Sequence, residues 1–103
     1  MEYMLRASDT FSHWLQNLKD KSSKIKVLAR LGRIENGNFG DYKHLISNLF
    51  ELRFFFGSGY RVYFTIRQKD VVFLSIGSDT STQSRDVEKA LALLTQLDNR
   101  NEI

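Results

Sequence analysis

The chain has no cysteine. That removes disulfides, thiol nucleophiles and cysteine-ligated metal together, and agrees with a cytoplasmic setting. No apolar run approaches the roughly 20 residues that a membrane-spanning helix needs, so no membrane role is expected. Met1-Glu2-Tyr3-Met4-Leu5-Arg6 lacks the apolar core of a signal peptide, and no export is expected. Histidine is scarce. His13 and His44 stand far apart and form no ligand-spaced pair, so neither a metal nor another cofactor is expected. What is present is an ordinary globular composition, 42% hydrophobic over 103 residues, which points to a single domain over 1–103 with one core.

Charge is modest in sum and uneven in place. The net is +3, yet residues 1–67 hold 11 Lys and Arg against 6 Asp and Glu, and residues 68–103 hold 4 against 6. Six cations fall within fifteen residues: Lys19, Lys21, Lys24, Lys26, Arg30 and Arg33, with Asp20 the only acid among them. Such a cluster suits phosphate or an acidic protein partner, and the sequence leaves both open.

The stretch Glu51-Leu-Arg-Phe-Phe-Phe-Gly-Ser-Gly-Tyr-Arg-Val-Tyr63 reads as two strands around a glycine turn. With Gly57-Ser58-Gly59 as a three-residue loop, Phe56 faces Tyr60, Phe54 faces Val62 and Leu52 faces Phe64. Those residues make an apolar face. Glu51, Arg53, Arg61 and Tyr63 fall on the other, because side chains alternate along a strand. Two guanidiniums and a phenol on one rigid face suit an anionic, aromatic ligand such as nucleic acid.

Around that hairpin the chain falls into order. Residues 2–7 form a short strand. Ser8, Asp9 and Thr10 cap a helix whose stripe is Phe11, Trp14, Leu15 and Leu18. Ser22 and Ser23 cap a second helix with two apolar stripes, Ile25-Leu28-Ala29-Gly32 and Val27-Leu31-Ile34, as if sandwiched between the first helix and the sheet. Glu35 to Asp41 is a loop, and Lys43 to Leu49 leads into the hairpin. Val71 to Ile76 has the continuous apolar character of a strand buried on both faces. Ser78 to Thr82 then cap a final helix that starts near Gln83, with Val87, Ala90, Leu91 and Leu94 inward and a polar end from Asp98. The order is β-α-α-β-β-β-α: an α+β fold, an antiparallel sheet with two N-terminal helices on one face. Trp14, Leu28, Phe54, Val62, Phe64 and Leu74 are expected to share the core.

Six pieces in this order resemble the RelE/ParE superfamily of bacterial toxin–antitoxin toxins, and within it the HigB-like addiction module killer proteins. They are Phe11-Ser-His-Trp-Leu15 with Leu18-Lys-Asp20, Ala29-Arg-Leu-Gly-Arg33, Gly37-Asn-Phe-Gly-Asp-Tyr-Lys43, Glu51-Leu-Arg53, Gly57-Ser-Gly-Tyr-Arg-Val-Tyr63 and Gln83-Ser-Arg-Asp-Val87. The resemblance implies a growth-inhibiting toxin of a type II system, held by a cognate antitoxin of helix-turn-helix type. It implies metal-independent, ribosome-dependent cleavage of mRNA by attack of the 2′-hydroxyl on the adjacent phosphate. Arg53 and Arg61 match the family's sheet arginines. Tyr63 stands beside them to stack a base or position the reacting group, and Lys43, Lys24, Lys26, Arg30 and Arg33 would hold RNA backbone. The ParE branch implies the alternative, a DNA gyrase inhibitor that acts by binding. A third possibility is an attenuated toxin acting mainly in a repressor complex with its antitoxin. The related group usually reads Gly-Gly-Asp-Lys after the last strand, where this chain has Gly77-Ser78-Asp79-Thr80.

Overall fold

A computed structural model of the chain describes residues 2–56, 59–77 and 83–100, and gives the elements β1 (Met4–Ala7), α1 (Asp9–Gln16), α2 (Lys21–Glu35), β2 (Tyr42–Ile46), β3 (Leu49–Arg53), β4 (Arg61–Arg67), β5 (Asp70–Gly77) and α3 (Gln83–Arg100). The fold is α+β. The expected caps at Ser78 to Thr82 and the Gly57-Ser58 part of the turn lie outside the described residues.

The strands form one sheet in the order β1-β5-β4-β3-β2. β2 to β5 are antiparallel neighbours, whereas β1 joins β5 in parallel, Leu5 beside Val71. β2 is a strand where the sequence suggested only a lead-in. Its turn into β3 has Ser47 at φ 55, a left-handed position taken without glycine, so the usual turn signal is missing. The run itself, Tyr-Lys-His-Leu-Ile, is an exposed edge that does not alternate cleanly.

The hairpin register differs from the expected one by two residues. Leu52 pairs with Val62, Phe50 with Phe64, Glu51 with Tyr63 and Arg53 with Arg61. Phe56 therefore does not face Tyr60. The Phe54 N–H donates to the Tyr60 carbonyl at 2.9 Å, and the Gly59 N–H to the Phe56 carbonyl at 3.0 Å. The pairing is centred one residue earlier than a Gly57–Gly59 loop would place it. A shift of two preserves parity, so each side chain keeps its expected face.

α1 starts as expected: Ser8 Oγ accepts from the Phe11 N–H at 3.1 Å and donates to the Leu74 carbonyl at 2.5 Å. α2 starts earlier than Ser22 and Ser23 would have it. Asp20 is the N-cap, accepting from the Ser22 N–H at 3.2 Å and the Ser23 hydroxyl at 2.7 Å. α2 is also not sandwiched. Val27 and Ile34 are buried, but Ile25 is 65% and Leu28 48% exposed. A helix laid on the outside of a sheet needs one buried stripe, and α2 carries two.

The core lies in two layers. Phe11, Val27, Ile34, Leu52, Phe54, Val62, Phe64, Val71 and Phe73 fill the side covered by α1 and α2, with Trp14 packed at its margin. Leu49, Tyr63, Val72, Leu74, Ala90 and Leu94 fill the side covered by α3. Leu74 was expected with Phe64 and instead belongs to the second layer. A bulge explains it: Tyr63 pairs with Ser75 but Phe64 with Phe73, which leaves Leu74 as the extra residue on β5. α3 remains helical past Asp98, which pairs with Arg67 rather than fraying.

These placements separate two leucine-or-larger truncations by outcome. Phe64→Ala removes a fully buried ring and is expected to cost about 3–5 kcal/mol, seen as a large fall in melting temperature. Leu28→Ala, on the open side of α2, should stay within about 0.5 kcal/mol of the parent in the same melt.

Candidate functional site

Pairing across the sheet brings chemistry together that sequence distance separates. Arg53 lies directly beside Arg61 on the face that meets α3. One row further in, Lys43, Glu51, Tyr63 and Ser75 sit side by side across β2, β3, β4 and β5. Arg53, Arg61 and Tyr63 thus share one face as expected, and Lys43, placed by the sequence in a lead-in, joins them on it.

Their environments differ sharply. Lys43 is exposed. Arg53 is half open, and its Nη2 lies 3.4 Å from Asp41 Oδ1, not against Glu51. Arg61 is 15% exposed, with Nε 3.8 Å from Glu51 Oε1. Glu51 is the feature that strand parity alone leaves unnoticed: an acid only 1% exposed, its other oxygen accepting from Gln83 Nε2 at 3.2 Å. An acid inside an apolar strand run is the available sequence signal. Burial of a lone carboxylate is costly, so a partner cation must be near.

Tyr63 is completely buried beneath α3, and its hydroxyl has no hydrogen-bond partner among the described residues. Thr65 and Ser75 hydroxyls and the Arg53 and Arg61 Nε atoms are in the same condition. Burial pushes the Tyr63 pKa up to about 12, helped by Glu51 and Asp86 and opposed by Arg61. At neutral pH the phenol is a neutral donor, and buried as it is it offers no face for a base to stack on. Asp86 closes this end of the site. A Cβ added at Gly77 would fall 2.6 Å from Asp86 Oδ2, so a side chain there would displace the Asp86 carboxylate.

The α2 cations are placed elsewhere. α2 packs on the opposite face of the sheet, so Lys24, Lys26 and Arg33 do not join Arg61 and Tyr63. Arg30 reaches the rim of β3. Its guanidinium donates to the carbonyls of Phe39 (3.0 Å), Asp41 (2.6 Å) and Arg53, and lies 4.8 Å from the Phe54 ring centroid. Burial and then Arg33 draw its pKa down while Asp41 holds it up. Gly40, at φ +70, admits the guanidinium: a Cβ there would sit 3.0 Å from Arg30 Nε. Arg30 is thus a strut between α2, the loop and β3. Among the described residues no group of three His, Asp or Glu is placed to hold a metal ion, and no helix is long and apolar enough to cross a membrane.

The architecture is a RelE-like α+β fold. A solved structure of the E. coli toxin RelE, a mutant with two arginines replaced by alanine in the free state, matches with a TM-score of 0.62 over 86% of this chain and 98% of that one, at 14% identity. No protein-family model matches the chain. It is 40% identical over 97 residues to an uncharacterized protein of Haemophilus influenzae (strain Rd), covering 94% of this chain and 98% of the relative, and it belongs to that protein's family.

Two measurements follow from these placements. Arg30→Lys keeps the charge but loses the fork that spans three carbonyls, and is expected to cost about 1–3 kcal/mol in thermal or urea melts. In a spectrophotometric phenolate titration, Tyr63→Phe should remove an ionisation step near pH 12. Because its folded-state pKa lies above the ordinary value, the stability it contributes is whole below the normal tyrosine range and is lost as pH climbs towards about 12.

Proposed function

We propose that the chain is the toxin of a type II toxin–antitoxin system, of the HigB-like kind, and that it inhibits growth by cleaving mRNA. The observation that carries this reading is the direct pairing of Arg53 with Arg61 on a sheet face that also bears Lys43, Glu51 and Tyr63. Support comes from the fold shared with a protein described as a toxin.

In this reading the ribose 2′-oxygen attacks the adjacent phosphorus, the bond from phosphorus to the 5′-oxygen breaks, and a proton passes from the nucleophile to the leaving oxygen. Negative charge grows on the phosphate oxygens. Arg53 and Arg61 offset it, since fixed forked cations stabilise developing charge without reorganising. Glu51 holds Arg61 in place, and Tyr63 is a buried, neutral phenol in the row next to the arginine pair. Lys43 extends the cationic face along the backbone of the RNA. Lys24, Lys26, Arg33 and the already engaged Arg30 serve at most a more distant stretch of RNA, because α2 lies on the other side of the sheet. No metal or cofactor takes part. The setting is the cytoplasm, the substrate is mRNA on the ribosome, and a helix-turn-helix antitoxin is the neutralising partner.

Removing Arg61 outright would leave Glu51 buried without its cation and confuse catalysis with stability. Arg53→Ala and Arg61→Lys separate the two. Expression of each should lose growth inhibition and mRNA cleavage by a factor of about 10²–10³, read by mapping mRNA 5′ ends, with the melting temperature near the parent's. Undiminished toxicity in both variants, with intact mRNA and an induced DNA-damage response, would sink the nuclease reading in favour of gyrase binding.

A further inference from the structure

Every aromatic residue of the chain but two belongs to the layer under α1 and α2 or touches it, Tyr42 through Phe39 and Phe50. The two exceptions are Tyr63 and Phe55. Tyr63 is sealed beneath α3, whereas Phe55 is 82% exposed, the most open of the large apolar side chains described. Its neighbours Phe54 and Phe56 meet each other, and Phe56 meets Tyr60. Phe55 stands between them with no ring partner among the described residues. A ring this open adds nothing to the core, so packing does not account for it.

Its place follows from the strand ladder. Arg53 pairs with Arg61, and one step on the Phe54 N–H still donates to the Tyr60 carbonyl at 2.9 Å, so the register carries past the end of β3. Phe54 turns into the core. Alternation turns Phe55 the other way, to the side of Arg53, and sets it opposite Gly59, which has no side chain to cover the ring. Two residues of extended chain span about 7 Å. Arg53 and Phe55 accordingly border one recess of about 320 Å³. Asp41 is the acid at that recess, and its pair with Arg53 is itself more than one-third open to solvent on both sides.

A guanidinium and an open ring one extended step apart match the two parts of a nucleotide. The phosphate meets the forked cation and the attached base lies on the ring, since every base has a face that stacks on an aromatic side chain. Tyr63 is closed to this role by its burial. We infer that Phe55 is the platform on which a base flanking the cleaved phosphate stacks, and that it helps set which base stands there. The inference rests on the proposed function in taking RNA as the ligand.

The probe is a single-stranded RNA oligomer carrying 2-aminopurine, a base whose fluorescence falls when it stacks. A 2′-deoxy sugar beside it removes the attacking hydroxyl, so the purified full chain binds the oligomer without cutting it. Fluorescence should fall on binding to the parent and to Phe55→Tyr, which keeps a ring. It should stay unchanged with Phe55→Leu, which keeps apolar bulk without one. Affinity for Phe55→Leu should drop by about tenfold or more, the scale of one lost base–aromatic stack. Melting temperatures should match the parent's, because the side chain is open in the free chain. In cells, mapped mRNA 5′ ends should show cleavage by Phe55→Leu reduced by about tenfold and cleavage by Phe55→Tyr retained. Absence of quenching in the parent at saturating protein, or quenching and cleavage that survive Phe55→Leu, would overturn the inference. So would equal loss in Phe55→Tyr and Phe55→Leu, since the residue would then be an apolar anchor for a protein and not a platform for a base. Quenching that follows the ring in a chain that leaves mRNA intact would sink the proposed function and leave the platform standing. Cleavage indifferent to Phe55 would do the reverse.

Discussion

β4 is buried on both faces, and the rest of the molecule depends on that constraint. Val62 and Phe64 point into the layer under α1 and α2, while Tyr63 and Thr65 point under α3. Side chains alternate strictly along a strand, so a slip of one residue would turn Arg61 towards the phenylalanines and move the aromatic row under α3. No small adjustment lies between these states. The bulge on β5 works within the same limit. It places Leu74 and Ser75 in succession on the α3 side, so β5 follows β4 in one register at its start and another at its end.

The second layer is unusual in what it hides. A helix over a sheet could be sealed by aliphatic residues alone, yet Glu51, Thr65 and Ser75 lie buried there beside Tyr63. Buried polar groups without partners cost free energy, which makes the arrangement hard to explain as packing. It is intelligible as a scaffold for cations at the sheet's end. Glu51 takes up one guanidinium, Asp41 another, and Asp86 presses on Gly77 where α3 begins.

Arg30 shows how a cation can serve the fold and still be part of a charged surface. Its fork closes the carbonyls of Phe39, Asp41 and Arg53, where the loop enters β2 and β3 ends. In a count of charges it is indistinguishable from Lys26 or Arg33. Position separates the strut from Lys26 and Arg33, because only Arg30 of the three brings its planar donors to the Phe39, Asp41 and Arg53 carbonyls.

Much was legible in the residues themselves. The α+β order, the start of α1 at Ser8, the inward face of α3 and the common face of Arg53, Arg61 and Tyr63 all follow from local rules: capping chemistry, a period of 3.6 or of 2, and glycine at a turn. β2 escaped them because its turn uses Ser47 rather than glycine and its edge position removes the alternation. The Asp20 cap escaped because three adjacent polar residues compete for one position.

Sequence alone therefore determined which side chains travel together on a face, since parity and helical period are properties of the chain. Tertiary structure decided what each face meets. It left the Ile25–Leu28 stripe open, although periodicity marked it as apolar, because the sheet has room for one stripe of α2. It set Glu51 against Arg61 and Asp41 against Arg53, because pairing partners depend on where a turn reverses the chain. It buried Tyr63 beneath α3, because burial is a relation between elements that no local pattern encodes.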